Sequence, residues 1–371
     1  MRIGITCNIQ GQNAMESGGP DDAEEEFDKP ETVESIAAVL RGLGHSVELL
    51  GDGPSMLRRI LDHPPDFVFN FAEGTGVSRS REARVPAVLE MLGIPYSGSD
   101  PLALAVTLDK DCCKRLVQSV GVRTPKWIVV DAQSPSARSR LDAGEPVVER
   151  CEIKPVTLTD GVEKRLRSAG IEYPVIVKPA YEGSSKGIRA KCLVESAPQL
   201  GPLVADLLGA YRQPVLVEEF IIGDEVTVGM VGNDPARVIG AMRILPQAAT
   251  DRFIYSLEVK RDFERRVRYE VPARLEPAVL DRIGCAASAA YDVLGCRDVS
   301  RLDFRVRDGE AYLLEVNPLP GLNPETGDLV LLARGMGVEH FELVSMIFSA
   351  SCSRYGLESR SKTSNPSNIG A

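Results

Sequence analysis

A chain of 371 residues is too long for one hydrophobic core and points to two or three domains. A net charge of −10 argues against a nucleic-acid surface, and no apolar run reaches membrane-spanning length. The opening "MRIGITCN" lacks the apolar stretch of a signal peptide, so a cytoplasmic protein without membrane or nucleic-acid partners is expected.

In chain order, "MRIGITCN" predicts a strand, a helix follows over about Thr32 to Leu43, and "HSVELL" and "PPDFVFNFAEG" predict two more strands. Strands alternating with helices imply a parallel sheet with crossover connections. A helix is expected in "TLDKDCCKRLVQSVG", then a strand in "VRTPKWIVVD". Residues 132–172 lack clean periodicity and suggest an insertion with a short helix near 160–169. "YPVIVKPAYEGSSKGI" and "PVLVEEFIIGDEVTVGMVG" each predict a strand, an interruption and another strand. A helix over 276–294, a β-hairpin over 301–317 and a last helix from about Gly337 to Ser349 complete the ordered part.

Eight cysteines show no C-x-x-C spacing and are expected as buried thiols of a reducing compartment. Only three histidines occur, none at metal-ligand spacing, which disfavours a zinc site or a His-based triad. Chemistry must then run on carboxylates, lysines and arginines.

The hairpin "RLDFRVRDGEAYLLEVNPLPG" is the most informative stretch. A three-residue turn, Asp308 to Glu310 with Gly309 at positive φ, sets Leu302 opposite Val316, Phe304 opposite Leu314 and Val306 opposite Tyr312. That register places Asp303 opposite Glu315 and Arg301 opposite Asn317 on the other face. Facing carboxylates repel unless a cation lies between them, and two carboxylates with a carboxamide suit Mg²⁺. On the hairpin alone, a solvated strand pair explains the charges equally well.

Other stretches are weaker singly. "VKPAYEGSSKG" offers Lys178, Glu182, Ser184 and Ser185 in a small-residue loop able to approach phosphate, although an ordinary flexible turn accounts for it as well. "LVEEFIIGDEV" sets Glu218, Glu219, Ile221 and Glu225 around an apolar slot that fits a purine and a ribose, or simply flanks a turn. "YSLEVKRD" reads as a strand with Glu258 and Lys260 on one face and Arg261 on the other. "NFAEGTG" puts Glu73 in a Gly-rich loop after a strand, and Lys110 sits near a helix start.

Taken in order over roughly residues 66–336, these motifs resemble the ATP-grasp superfamily and, within it, the D-alanine–D-alanine ligase family. The resemblance implies a mixed α/β (α+β) ATP-grasp fold: a parallel-sheet α/β domain over 1–103, then two α+β lobes with antiparallel sheets clamping ATP. Those lobes are expected over 104–215, with a lid loop 182–187, and over 216–350, followed by a disordered tail 351–371. It implies a ligase joining two amino acids through an acyl phosphate, with ATP and two Mg²⁺ ions as cofactors and Mn²⁺ as the alternative metal. Asp303, Glu315 and Asn317 are then metal ligands. Lys110 and Lys178 touch phosphates, Glu218 and Glu225 take adenine and ribose, and Lys260 steadies the transferred phosphoryl group. Glu182, Ser184, Ser185, Glu219 and Ile221 complete the nucleotide site, and Arg301 with the N–H of Gly321 holds the oxyanion. Glu73, Arg261, Gly321 and Thr326 are carried over as substrate positions, with small amino acids as partners and a homodimer left open.

Departures are equally specific. The double-glycine and Ser-x-Glu signature that holds the first ammonium is replaced by "GGPDDAEEEFDKPET", where Glu25 or Glu31 is the substitute. Leu257 and Arg261 stand where aromatic residues are usual, and Pro318 and Thr326 replace a threonine and a serine. Two other readings follow: a ligase of the same fold for other amino acids in a specialised pathway, and a non-catalytic nucleotide-binding module.

Overall fold

The structure, a computed structural model, describes residues 1–12, 19–131 and 155–357. Most of the 132–172 insertion lies outside the described residues, apart from a helix, α6 (Pro155–Ser168), and the short turn after it.

Three sheets organise the chain. The first is parallel, with order β2 (Ser46–Leu49), β1 (Arg2–Thr6), β3 (Phe67–Asn70). Helices α1 (Pro30–Gly42), α2 (Gly53–Asp62) and α3 (Arg84–Leu92) alternate with its strands. Their apolar faces make this alternation possible: Val33, Ile36, Ala37 and Leu40 of α1 join Ile3, Ile5, Phe67 and Phe69 in one core. The last helix, α12 (His340–Arg354), completes that same core with Leu343, Val344, Ile347 and Phe348. It runs past the expected start of a tail at 351, because Ser351 and Cys352 are buried.

The stretch expected as one helix from Thr107 is two, α4 (Pro101–Leu108) and α5 (Lys110–Ser119). Asp109 separates them, with extended backbone and a side chain accepting from the N–H groups of Asp111 and Cys112. An N-cap of this kind fixes where a helix begins, and here it sets Lys110 at the first position of α5.

The second sheet is antiparallel, order β4 (Trp127–Val130), β7 (Val215–Glu219), β5 (Val175–Pro179), β6 (Leu193–Val194), backed by α6 and α7 (Ala197–Tyr211). The third has order β10 (Val267–Glu270), β9 (Arg237–Pro246), β8 (Asp224–Val231), β11 (Val299–Arg307), β12 (Glu310–Asn317). Helix α10 (Pro277–Val293) and α5 cover one face of it through Ile283, Ala287, Val117, Leu302 and Phe304. Residues 220–223 cross from β7 to β8 and so join the two sheets. Gly223 is required there, since a Cβ would collide with the carbonyl of Val306.

The hairpin differs from expectation in its turn. Asp308 and Gly309 alone form it, both at positive φ (53° and 74°), with Arg307 opposite Glu310. Val306 therefore meets Ala311, and Phe304 meets Leu313 rather than Leu314. A bulge at Leu314 absorbs the one-residue difference and restores the expected register, with Asp303 opposite Glu315, Leu302 opposite Val316 and Arg301 opposite Asn317.

The segment read as a strand at 255–262 is instead a short helix, α8 (Leu257–Arg261). Fully buried Leu257 anchors it, and its N–H donates to the carbonyl of Ile188 (2.9 Å), tying α8 to the loop after β5. A single turn held by tertiary contacts leaves no periodicity to read. Helices α9 (Phe263–Arg266) and α11 (Asp328–Gly335) complete the set. No described helix is long and apolar enough to cross a membrane.

Candidate active site

A slot lies between the two antiparallel sheets. Arg301, Asp303 and Arg305 enter it from alternate positions of β11, whose other face is core. Asp303 accepts from Arg301 (2.9 and 3.1 Å) and from the Thr227 hydroxyl (2.8 Å). Arg301 also lies 3.4 Å from Asp328 and 3.8 Å from Glu315. Burial raises the Asp303 carboxyl and the facing Glu315 adds to this, against the pull of Arg301. Burial also acts on Glu315, but Lys110 (3.3 Å), Lys178 and Arg301 win and hold it at about 2.

Among the described residues no group of three or more His, Cys, Asp or Glu could hold a metal ion. Two carboxylates in register and the Asn317 amide form a smaller set, and Asn317 Oδ1 also accepts from the Leu319 N–H (3.1 Å). The set fits a hard cation that takes its remaining ligands from water and phosphate. The Arg301 guanidinium, close to both carboxylates, supplies positive charge at that place.

At the other end, the Glu218 carboxylate is buried and gripped by Lys114 (2.9 Å) and Lys178 (2.5 Å). Burial alone would raise it; the two lysines bring it below the usual carboxylate range. Glu218 therefore braces Lys178 while lining the slot. Glu219 pairs with Arg307 (2.9 Å). Arg305 organises this end: it donates to the carbonyl of Ile221 (3.1 Å) and to Glu225 (2.8 Å), and stacks over Phe220 at 4.6 Å. With Ile176, Ile221, Ile244 and Ile254 the result is an apolar cleft rimmed by acceptors. Lys260 of α8 reaches the same slot, 4.0 Å from Asp328.

A second, smaller cavity adjoins the first, because Glu315 lines both. Its walls carry Glu26, Glu73, Glu82, Glu182, Lys110, Ser184 and Asn317. Arg81 and Lys186 cross-link the loop after β5 to the N-terminal acidic stretch. Arg81 donates to both oxygens of Glu26 (2.7 and 2.8 Å) and lies 3.3 Å from Glu182, while Lys186 is 2.8 Å from Glu182 and 3.4 Å from Glu26. The Gly183 N–H donates to Glu26 (2.5 Å) and the Gly187 N–H to buried Asp22 (2.9 Å). Ser184 and Ser185 sit at φ 50° and 60°, and the Ser185 hydroxyl donates to the carbonyl of Tyr255 (2.9 Å). Lys110 donates to the carbonyl of Glu182. The loop 182–187 thus lies folded against this face, with the N–H groups of Gly183 and Gly187 already meeting carboxylates.

Sequence reasoning named Glu25 or Glu31 for the acidic position; of that stretch, Glu26 is the residue that lines the second cavity. Glu31 is an exposed residue in the first turn of α1, and Glu25 pairs with Arg261 (2.6 Å). Arg261, Gly321 and Thr326 are exposed and line neither cavity. Residues that went unnoticed include Arg81, Glu82, Lys114, Arg305 and Asp328. Only Arg305 had a signal, the Arg301-Asp303-Arg305-Arg307 alternation. Five of the seven described cysteines are buried, as expected, whereas Cys112 is half-buried and Cys285 exposed.

The profile of the family described as "D-ala D-ala ligase C-terminus" matches residues 142–349, more than half of the chain. The D-alanine–D-alanine ligase of Aquifex aeolicus is 30% identical over 86% of this chain and 94% of its own length. The chain belongs to the D-alanine–D-alanine ligase family. It is an ATP-grasp ligase, forming a C–N bond at the expense of ATP. An uncharacterized protein, y4sG of Sinorhizobium fredii, is 29% identical over 96% of this chain and 98% of its own length. The fold agrees with a Bacillus anthracis D-alanine–D-alanine ligase solved with ATP (TM-score 0.65, 21% identity, 97% of this chain and 100% of that one). It agrees equally with the VanG D-Ala:D-Ser ligase of Enterococcus faecalis (TM-score 0.65, 20% identity, 94% and 99%).

Proposed function

We propose that the enzyme uses ATP and Mg²⁺ to join two amino acids through an acyl phosphate, releasing ADP and phosphate. The observation that carries this reading is the β11–β12 register. It sets Asp303 against Glu315 where the nucleotide slot meets the acidic cavity.

Adenine occupies the apolar cleft against the 219–221 backbone and the ribose meets Glu225, both steadied by Arg305. Lys178, braced by Glu218, and Lys110 meet phosphate oxygens. Asp303, Glu315 and Asn317 would hold two Mg²⁺ ions, Mn²⁺ being the alternative, and metal bound there neutralises phosphate charge. The γ-phosphoryl group passes to the first substrate's carboxylate beside Lys260. A second amine, having lost a proton, attacks the acyl carbon, and phosphate leaves as the C–N bond forms. Arg301 lies beside this point and stabilises the oxyanion, with the Gly321 N–H as its expected partner. Ser184 and the loop 182–187 exclude water that would hydrolyse the acyl phosphate. Arg261 and Thr326 border the approach of the second amino acid. D-Alanine is one candidate substrate, and other amino acids are equally compatible with Arg261 and the altered N-terminal stretch. A cytoplasmic location suits a consumer of ATP, and a homodimer is compatible with this site.

The test is product stoichiometry. With ATP, Mg²⁺ and a productive pair of amino acids, ADP, phosphate and dipeptide accumulate in equal amounts. Tight ATP binding without turnover by any pair would favour the non-catalytic alternative.

A further inference from the structure

The acidic cavity holds more negative charge than its own cations offset. Arg81 and Lys186 serve Glu26 and Glu182, and Lys110 serves Glu315. Glu73 and Glu82 remain. Neither carboxylate makes a hydrogen bond, or an ion pair within 4 Å, to any described residue, although both line the cavity; Glu82 is only 7% exposed and Glu73 is half-buried. Gly74, at φ 73°, folds the intervening loop so tightly that a Cβ would lie 2.6 Å from the carbonyl of Arg81. That approach holds Glu73 and Glu82 together on one wall.

Burying an unpaired carboxylate is costly and persists where a ligand supplies the missing partner. Burial, with Glu26 nearby, pushes Glu82 up to about 8 despite the opposing pull of Arg81. Burial and Glu82 push Glu73 well up in the same way. Both shifts show that the ionised carboxylates lack a cationic partner at this wall.

Building on the ligase reading, we infer that the first, carboxylate-activated substrate is an amino acid with an amino group on its side chain. Its carboxylate points toward Glu315 and Lys110, at the mouth shared with the nucleotide slot. Its α-ammonium and side-chain ammonium meet Glu73 and Glu82, with the carbon chain against Leu108, Val316 and Pro318. An alanine brings one ammonium and a methyl group, and leaves one of the two carboxylates unpaired.

The experiment measures phosphate release from ATP and Mg²⁺ by the full chain, with product masses. The panel is alanine, 2,4-diaminobutyrate, ornithine and lysine in both configurations. At least one diamino acid is expected to exceed alanine of the same configuration at least about 100-fold in kcat/KM. Glu82→Gln, or Glu73→Gln should the first variant not fold, is expected to shrink that preference to less than about tenfold through a raised KM. Alanine preferred by the wild type, or a diamino preference undiminished in a folded variant, overturns the inference and leaves the ligase intact. No release with any amino acid overturns both.

Discussion

Asp303 and Glu315 face each other across β11 and β12, one residue before the bulge that turns Leu314 into the slot between the two antiparallel sheets. Arg301 lies within 4 Å of both, and Lys110 reaches Glu315 alone. Glu315→Gln removes the more acidic partner, the one held at about 2. Its turnover is expected to fall at least about 100-fold. Phosphate release at saturating ATP and Mg²⁺ checks this, and turnover within a fewfold of wild type would speak against a metal role.

The Lys114–Glu218–Lys178 cluster is buried at all three side chains. Glu218→Gln leaves two lysines without their shared anion, and the loss of stability should be about 3–5 kcal/mol. Denaturant unfolding reads this directly. A loss under about 1 kcal/mol would mean that water reaches the lysines and that Glu218 is available to adenine after all.

Glu82 gives a stability effect with a definite sign. Its folded-state carboxyl lies near 8, above its ordinary value of 4.5, so the folded protein holds a proton that the unfolded chain has lost between those values. Folding is therefore favoured at low pH, and stability declines as pH rises from about 4.5 to about 8. Glu82→Gln should melt with wild type near pH 4 and above it at pH 8.5, by about 1–3 kcal/mol. Equal melting temperatures at both pH values would show the carboxylate to be paired.

How much could be read in advance follows from where the constraints lie. The Asp303–Glu315 register was legible because alternation forces one face of β11 and β12 into the core, which leaves no choice for the other. The turn was not, since Asp308 at positive φ and the bulge at Leu314 compensate each other and leave the far register unchanged. Lys260 was found by motif order, yet its helix was read as a strand because one turn held by Leu257 shows no period. Glu26, Arg81 and Glu182 meet from irregular segments far apart in sequence. Their pairing depends on tertiary folding, and nothing local announces it.

Arg261 and Glu25 meet at the surface, where Arg261 is 42% exposed, so the pair contributes at most about 1 kcal/mol to stability. Its position between α8 and the N-terminal stretch suits a role in acceptor choice. Arg261→Tyr should alter the ranking of second amino acids several-fold with the KM for ATP within about twofold. Steady-state kinetics across acceptors separates the two effects, and an unchanged ranking with weakened ATP binding would reassign the residue to the nucleotide.

The most direct test follows an oxygen atom. When the first amino acid carries ¹⁸O in its carboxylate, passage through an acyl phosphate moves one labelled oxygen per turnover into the released phosphate, detected by mass spectrometry. Labelled phosphate in a one-to-one ratio with dipeptide is the expected result; phosphate free of label, alongside dipeptide, would contradict the account.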